Sequence, residues 1–208
     1  NPYAWANREM DTLDAVIKRN PEKISLSVTP SLLKKAVKEK KLAAMFGVEG
    51  GHMIENKLDN LNNFYNRGVR YMTLTWNNST DWASSAWDET INADKLKQKG
   101  LTDFGKQVVK RMNDLGMIID VSHVGEQTFY DAIAITNKPI IASHSCVHAL
   151  CSVPRNLKDE QIKAIGKNGG VIHLNFYSGF IDSSYDSRSD VFNSKHKAER
   201  DSLLKINP

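Results

Sequence analysis

The chain has 208 residues, 40% of them hydrophobic and 25% charged, with a net charge of +4 and a pI near 8.9. That length and apolar content suit one globular domain with a sizeable core, and they exclude a disordered chain as the default. The basic excess is spread out: the one dense run, Lys34 to Lys41, has Glu39 inside it and no interleaved aromatics, so it reads as a solvated helix face and not a nucleic-acid patch.

No apolar run of about 18 residues is present, so no membrane span is expected. The start, Asn1-Pro2-Tyr3-Ala4-Trp5, shows no basic segment followed by an apolar one, so no signal peptide is visible. It also lacks an initiator methionine, which suggests a processed or partial product. Cys146 and Cys151 are five residues apart and define no disulfide framework; a local bridge and two free thiols both remain open.

In chain order, residues 8–19 read as a helix with Met10, Leu13 and Ile17 on one face. Ile24 to Val28 alternates like a strand. Thr29-Pro30 opens a helix that turns Leu33, Ala36 and Val37 inward. Leu42 to Val48 is a strand, 55–67 a helix closed by Gly68, and Val69 to Thr75 a strand. Periodicity then stops over residues 76–100, a long loop with Trp76, Trp82 and Trp87. Loops of that length are usually functional or disordered, and three tryptophans argue against disorder. A helix capped by Thr102 runs to Leu115. Strand 117–121, helix 125–135, strand 140–143, helix 158–167 and strand 170–175 follow. The segment 182–208 is polar, with a weak helical pattern at 195–205.

Strand and helix alternating about five times indicates a parallel sheet with helical crossovers. No dinucleotide or P-loop motif accompanies it. Polar groups at the carboxyl ends of several different strands favour a barrel over an open sheet, which would gather them at one crevice. The pattern supplies about six strands, two short of a closed eight-stranded barrel.

Three apolar runs end in metal-capable side chains: Glu49 after Leu42–Val48, His123 after 117–121 and His144 after 139–142. Two imidazoles and a carboxylate are standard catalytic zinc ligands. Alternate residues of a strand share a face, so Glu49 is expected to point with Gly47, His123 with Val121 and His144 with Ala142, toward one centre. Taken singly, Glu49 could accept backbone hydrogen bonds in a turn, and each histidine could be a satisfied core residue. His52 and His148 fall in loops, His173 inside a strand as packing, and His196 in the polar tail.

The runs Val48-Glu49-Gly50-Gly51-His52, Gly68-Val69-Arg70-Tyr71-Met72-Thr73-Leu74-Thr75, Gly100-Leu101-Thr102-Asp103-Phe104-Gly105, Ile119-Asp120-Val121-Ser122-His123, Ser143-His144-Ser145, Arg155-Asn156 and Asn175-Phe176-Tyr177 resemble the membrane dipeptidase (renal dipeptidase) family of zinc peptidases. Order and spacing match over roughly residues 42–180. The resemblance implies a TIM-like (β/α)8 barrel with two zinc ions that hydrolyses dipeptides. It implies that Glu49 bridges both metals, that His123 and His144 complete one shell, and that Arg155 binds the substrate carboxylate. A guanidinium fork suits that last task.

The chain departs from the family pattern at three points. No histidine precedes Glu49, so the His-x-Asp pair that ligates the other zinc is missing. So is the aspartate of a Ser-Asp-x-Asp-Gly-type motif on the last strand; Ser189-Asp190 lies in the polar tail. Trp76 stands where animal members carry a substrate-contacting histidine, and is expected to wall the substrate pocket. The missing His-x-Asp pair and aspartate belong to the first and last barrel strands, which are expected to lie outside this chain. The expected function is a zinc dipeptidase with Glu49, His123 and His144 as metal ligands and Arg155 and Trp76 at the substrate; no catalytic acid or base is assigned. The alternatives are a catalytically impaired metal- and peptide-binding barrel, or a related amidohydrolase acting on lactones or β-lactams. A homodimer is compatible with this reading, as is an exported or periplasmic location, although no address is visible.

Overall fold

The computed structural model describes residues 1–206. Its strands are β1 (Ile24–Leu26), β2 (Leu42–Ala44), β3 (Phe46–Glu49), β4 (Val69–Thr73), β5 (Ile118–Asp120), β6 (Ile141–Ala142) and β7 (Val171–Ile172). All pairings are parallel. The first two form their own two-stranded sheet, and the other five make one sheet in the order β3-β4-β5-β6-β7. Spatial order therefore follows chain order without reversal. A doubly wound sheet has a switch point where the order turns back, whereas a barrel winds one way. The sheet is an open arc of a barrel. It holds five strands and not six, because Ile24–Leu26 pairs with Leu42–Ala44 outside it. Among the described residues β3 and β7 each have one partner, so both edges are unpaired.

The helices are α1 (Pro2–Arg19), α2 (Pro30–Lys38), α3 (Leu58–Asn66), α4 (Ala86–Thr90), α5 (Asp103–Leu115), α6 (Glu126–Ile135), α7 (Asp159–Asn168), α8 (Tyr185–Lys195) and α9 (Lys197–Ile206); α2 to α7 lie in the connections between strands, while α1 precedes β1 and α8 and α9 follow β7. None is long and apolar enough to cross a membrane, among the described residues. The core lies between the outer face of the five-stranded sheet and α3, α5, α6 and α7. Val48, Met72, Ile119, Val121 and Ala142 meet Leu61, Phe64, Val108, Met112, Phe129 and Ile165 there, all buried. The register puts Glu49 beside Thr73 and Thr73 beside Asp120 on the opposite, inner face.

Several elements differ from the sequence expectation for identifiable reasons. The first helix starts at Pro2 because the Asn1 side chain accepts from Ala4 N (2.8 Å) and Glu55 Oε1 from Tyr3 N (3.1 Å). The run 42–48 splits at Met45, and its halves join different sheets. In α2 only Ala36 is buried, while Leu33 and Val37 are exposed, since the five-stranded sheet does not extend beneath this helix. Its lysines are solvated as expected, with Glu39 paired to Lys35 and Lys41. The tryptophan loop is ordered and contains α4; Trp82 is buried, while Trp76 and Trp87 are half-exposed. The last strand stops at Ile172, leaving His173 exposed and not packed. The tail forms α8 and α9, a stronger helical signal than the sequence shows, and Ser189 and Asp190 lie within α8.

Candidate metal centre

Glu49 is the last residue of β3 and shares the inner face with Gly47. Its carboxylate does not fold back on the turn. The amides that follow are used elsewhere: Gly50 N donates to Thr73 O and Gly51 N to Leu74 O, both at 3.2 Å. Gly50 sits at φ +94°, a region open to glycine, and a Cβ on Gly51 would stand 2.6 Å from the Leu74 carbonyl oxygen and 2.3 Å from the Trp82 ring. The two glycines let the chain turn tightly against β4 while the carboxylate stays free at the sheet mouth.

The histidines reach that mouth by a different route from strand alternation. Val121 and Ala142 are buried on the outer face, against the helices. Alternation would therefore send His123 and His144 away from Glu49. Both lie beyond the ends of β5 and β6, and His123 adopts φ +69°. That left-handed conformation is uncommon for a side chain with a Cβ, and it re-aims the ring inward. The tryptophan loop holds it there: Ala86 N donates to His123 O (2.8 Å), and Gly125 N to Ser84 O (2.9 Å). Glu89 supports the same junction, accepting from Ser84 Oγ (2.5 Å) and from Gln127 N at the start of α6 (3.1 Å).

The result is a compact three-donor set. His123 Nε2 and His144 Nε2 are 2.8 Å apart, and Glu49 Oε1 lies 3.1 and 3.2 Å from them. In a tetrahedral zinc shell with bonds of about 2.0–2.1 Å, neighbouring ligand atoms stand about 3.3 Å apart. The observed triangle matches that size to within about half an ångström, so these residues fit a single metal ion. Hydrogen bonding to His123, and next to His144, holds the Glu49 carboxyl well below the usual carboxylate range against the opposing effect of burial. Burial lowers the pKa of His123 despite its bond to Glu49, which favours the unprotonated ring that metal binding needs. Its Nδ1 is buried with no hydrogen-bond partner among the described residues.

Asp120, Thr73, Ser122 and Ser143 form the layer beneath. Asp120 is fully buried and accepts from Thr73 Oγ1 (2.6 Å), from Ser122 N and Ser143 N (3.0 Å each) and from Ser143 Oγ. Ser143 Oγ also lies 2.8 Å from His144 Nδ1. The sequence assigns this layer no role, although all four residues fall within the runs that carry the family resemblance and Asp120 interrupts the apolar run Met117–Val121.

Arg155 is 9% exposed, with a single hydrogen bond among the described residues, Nη2 to His144 O at 3.5 Å; its guanidinium lies over the Phe180 ring. Burial pushes its pKa down to about 10, with Asp120 and Glu49 acting the other way. Arg155, His123, His144, Trp87, Tyr177 and Phe180 line one cleft of about 650 Å³. Trp76 stands 6.4 Å from the His123 ring but lines a second, apolar groove of about 670 Å³ with Glu49, Trp5 and Met45. Glu49 and Trp76 thus line one groove, while Arg155 and both histidines line the other. His52 is outside the cluster, bonded to Ser79 O at 3.1 Å, and both cysteines are buried free thiols.

The profile of the membrane dipeptidase family (peptidase family M19) matches residues 5–202. An uncharacterised dipeptidase of Schizosaccharomyces pombe is 38% identical over 151 residues, 73% of this chain and 36% of the relative. The solved structure of the probable dipeptidase PvdM from Pseudomonas aeruginosa is 30% identical, with a TM-score of 0.72, over 79% of this chain and 42% of that one. A metallo peptidase from Rhodobacter sphaeroides, solved with a phosphinate mimic of the dipeptide L-Ala-D-Ala, shares the fold at 24% identity and a TM-score of 0.75, over 83% and 49%. The chain therefore spans a third to a half of the length of these relatives.

Proposed function

Because the chain belongs to the membrane dipeptidase family, a family of metal-binding peptidases, we propose that the protein hydrolyses dipeptides with zinc held by Glu49, His123 and His144. The observation that carries this reading is the convergence of three donor atoms from three separate strand ends within 3.2 Å of one another. When bound, zinc supplies Lewis-acid polarisation of the scissile carbonyl and activation of the attacking water.

The chain's own groups do the positioning. Arg155 grips the substrate's terminal carboxylate as a fork, since its donors are largely unused among the described residues and its burial strengthens a charge-assisted pair. The cleft beside it places the rest of the dipeptide against Trp87, Tyr177 and Phe180, so these rings set side-chain preference. The loop carrying Trp76 and Trp87 walls the site and limits its water. Trp76 supports a second reading, in which peptide and metal are bound without turnover, because an indole replaces the donor and acceptor of an imidazole.

The test is hydrolysis of a dipeptide panel by the full-length protein, before and after chelation. Turnover that stops with metal removal and returns with zinc supports the peptidase. Turnover that survives chelation refutes it, and metal uptake with no turnover selects the second reading. Lactone and β-lactam substrates in the same panel separate a change of substrate from a loss of activity.

A further inference from the structure

We propose that Asp120 is a positioning residue for the metal site, acting through the Ser143 hydroxyl to fix the His144 imidazole with a proton on Nδ1 and Nε2 turned toward Glu49 and His123. The argument is one of proton supply. A carboxylate only accepts hydrogen bonds, and a serine hydroxyl has one proton to give. Asp120 Oδ1 is occupied by the amides of Ser122 and Ser143, and Oδ2 by the hydroxyls of Thr73 and Ser143. The Ser143 proton is therefore committed to Asp120. What remains at Ser143 Oγ is acceptor capacity, and 2.8 Å away is His144 Nδ1, which must be the donor. Nε2 is the nitrogen left facing Glu49 Oε1 and His123 Nε2, where a metal would take it.

The backbone is held by the same group. Asp120 accepts the amides of the residues preceding both His123 and His144, and Ser122 Oγ accepts His144 N–H at 3.0 Å. The two histidines are nonetheless treated differently. His123 Nδ1 has no hydrogen-bond partner among the described residues, and its ring is aimed by the left-handed backbone. Only His144 has its tautomer set by a hydrogen bond. Partners of this kind are typically worth about 10–100-fold in metal affinity. The proton on Nδ1 stands independently of the metal; its consequence for binding rests on the zinc-ligand reading above.

The experiment labels histidine with ¹⁵N in the metal-free full chain and reads the His144 tautomer by long-range proton–nitrogen correlation, followed by zinc(II) affinity from chelator competition. Wild type and Ser143→Thr, which keeps the hydroxyl, are expected to carry a proton on His144 Nδ1. Ser143→Ala shifts His144 toward Nε2–H, the form free imidazole prefers in water. Asp120→Asn, if it folds, frees the Ser143 proton for Nδ1 and gives the same shift. Zinc affinity falls about 10–100-fold in Ser143→Ala and stays near wild type in Ser143→Thr. A wild-type His144 found as Nε2–H, or a Ser143→Ala protein still Nδ1–H, overturns the proposal whatever happens to its melting temperature. A shifted tautomer with unchanged zinc affinity overturns the role in metal binding and counts against His144 as a ligand.

Discussion

Replacing Gly51 by alanine is expected to destabilise the protein by about 2 kcal/mol, although Gly-to-Ala changes at unstrained positions usually help. The usual gain is about 0.4–1 kcal/mol from a less flexible unfolded chain. At Gly51 the new methyl would stand 2.3 Å from Trp82 Cζ2 and 2.6 Å from the Leu74 carbonyl oxygen. The indole is 1% exposed and packs edge-on to Phe104 at 6.2 Å, and the carbonyl is backbone already bonded to Gly51 N, so neither yields cheaply. Overpacking costs about 1–3 kcal/mol, and rigid neighbours place this case at the top of that range. The net of about 2 kcal/mol corresponds to a fall in melting temperature of about 4–8 °C for a chain of this size. Gly166 in α7 is the control. Nothing lies within 4 Å of its would-be Cβ, so Gly166→Ala is expected to gain about 0.5–1 kcal/mol, or about 1–4 °C. Scanning calorimetry of both variants decides. A Gly51→Ala protein melting at or above wild type refutes the close approach of Trp82 to the turn that carries Glu49.

Three further outcomes are expected. Arg155→Lys keeps the charge and loses the fork; kcat/KM on a dipeptide drops about 10–100-fold, from a charge-assisted hydrogen bond of about 1.5–3 kcal/mol. Its activity on the C-terminally amidated dipeptide changes far less, which steady-state kinetics on the pair will show. Zinc at about 100 times its Kd stabilises the folded chain by about 2.7 kcal/mol, and the thermal shift disappears in His144→Ala. The Asp88 carboxyl is raised by burial but lowered more by hydrogen bonds from Ser79, Asn92 and Ser85, with a net shift downward. A depressed folded-state pKa gives stability that is present above the unfolded value of about 3.9 and is lost as pH falls through the folded one. Urea melts should therefore show Asp88→Asn less stable than wild type at pH 7, with the gap narrowing below about pH 4.

The alternation of apolar runs with amphipathic segments made the parallel sheet and its crossovers legible, because burial on the outer face imposes the same pattern wherever it occurs. The lining up of Glu49, His123 and His144 with strand ends was legible for the same reason. The way the ligands converge was not. Period-two reasoning joins Val121 to His123 and Ala142 to His144, yet those strand residues face the helices, and the rings turn inward only after the strands have ended. Nor did the run 42–48 reveal that its halves serve two sheets, since an apolar stretch does not say which neighbour it will pair with. Arg155 carried no pattern of its own; its value as an anchor lies in burial with a single hydrogen bond among the described residues, a property of its surroundings.

By itself the sequence determined which residue types stand at the mouths of the strands, and hence which chemistry is available to them. The tertiary structure decided their aim: a left-handed backbone at His123, a bend at His144 and a buried aspartate beneath both. Side-chain direction past the end of a strand is set by contacts between segments far apart in the chain, and no local periodicity records those contacts.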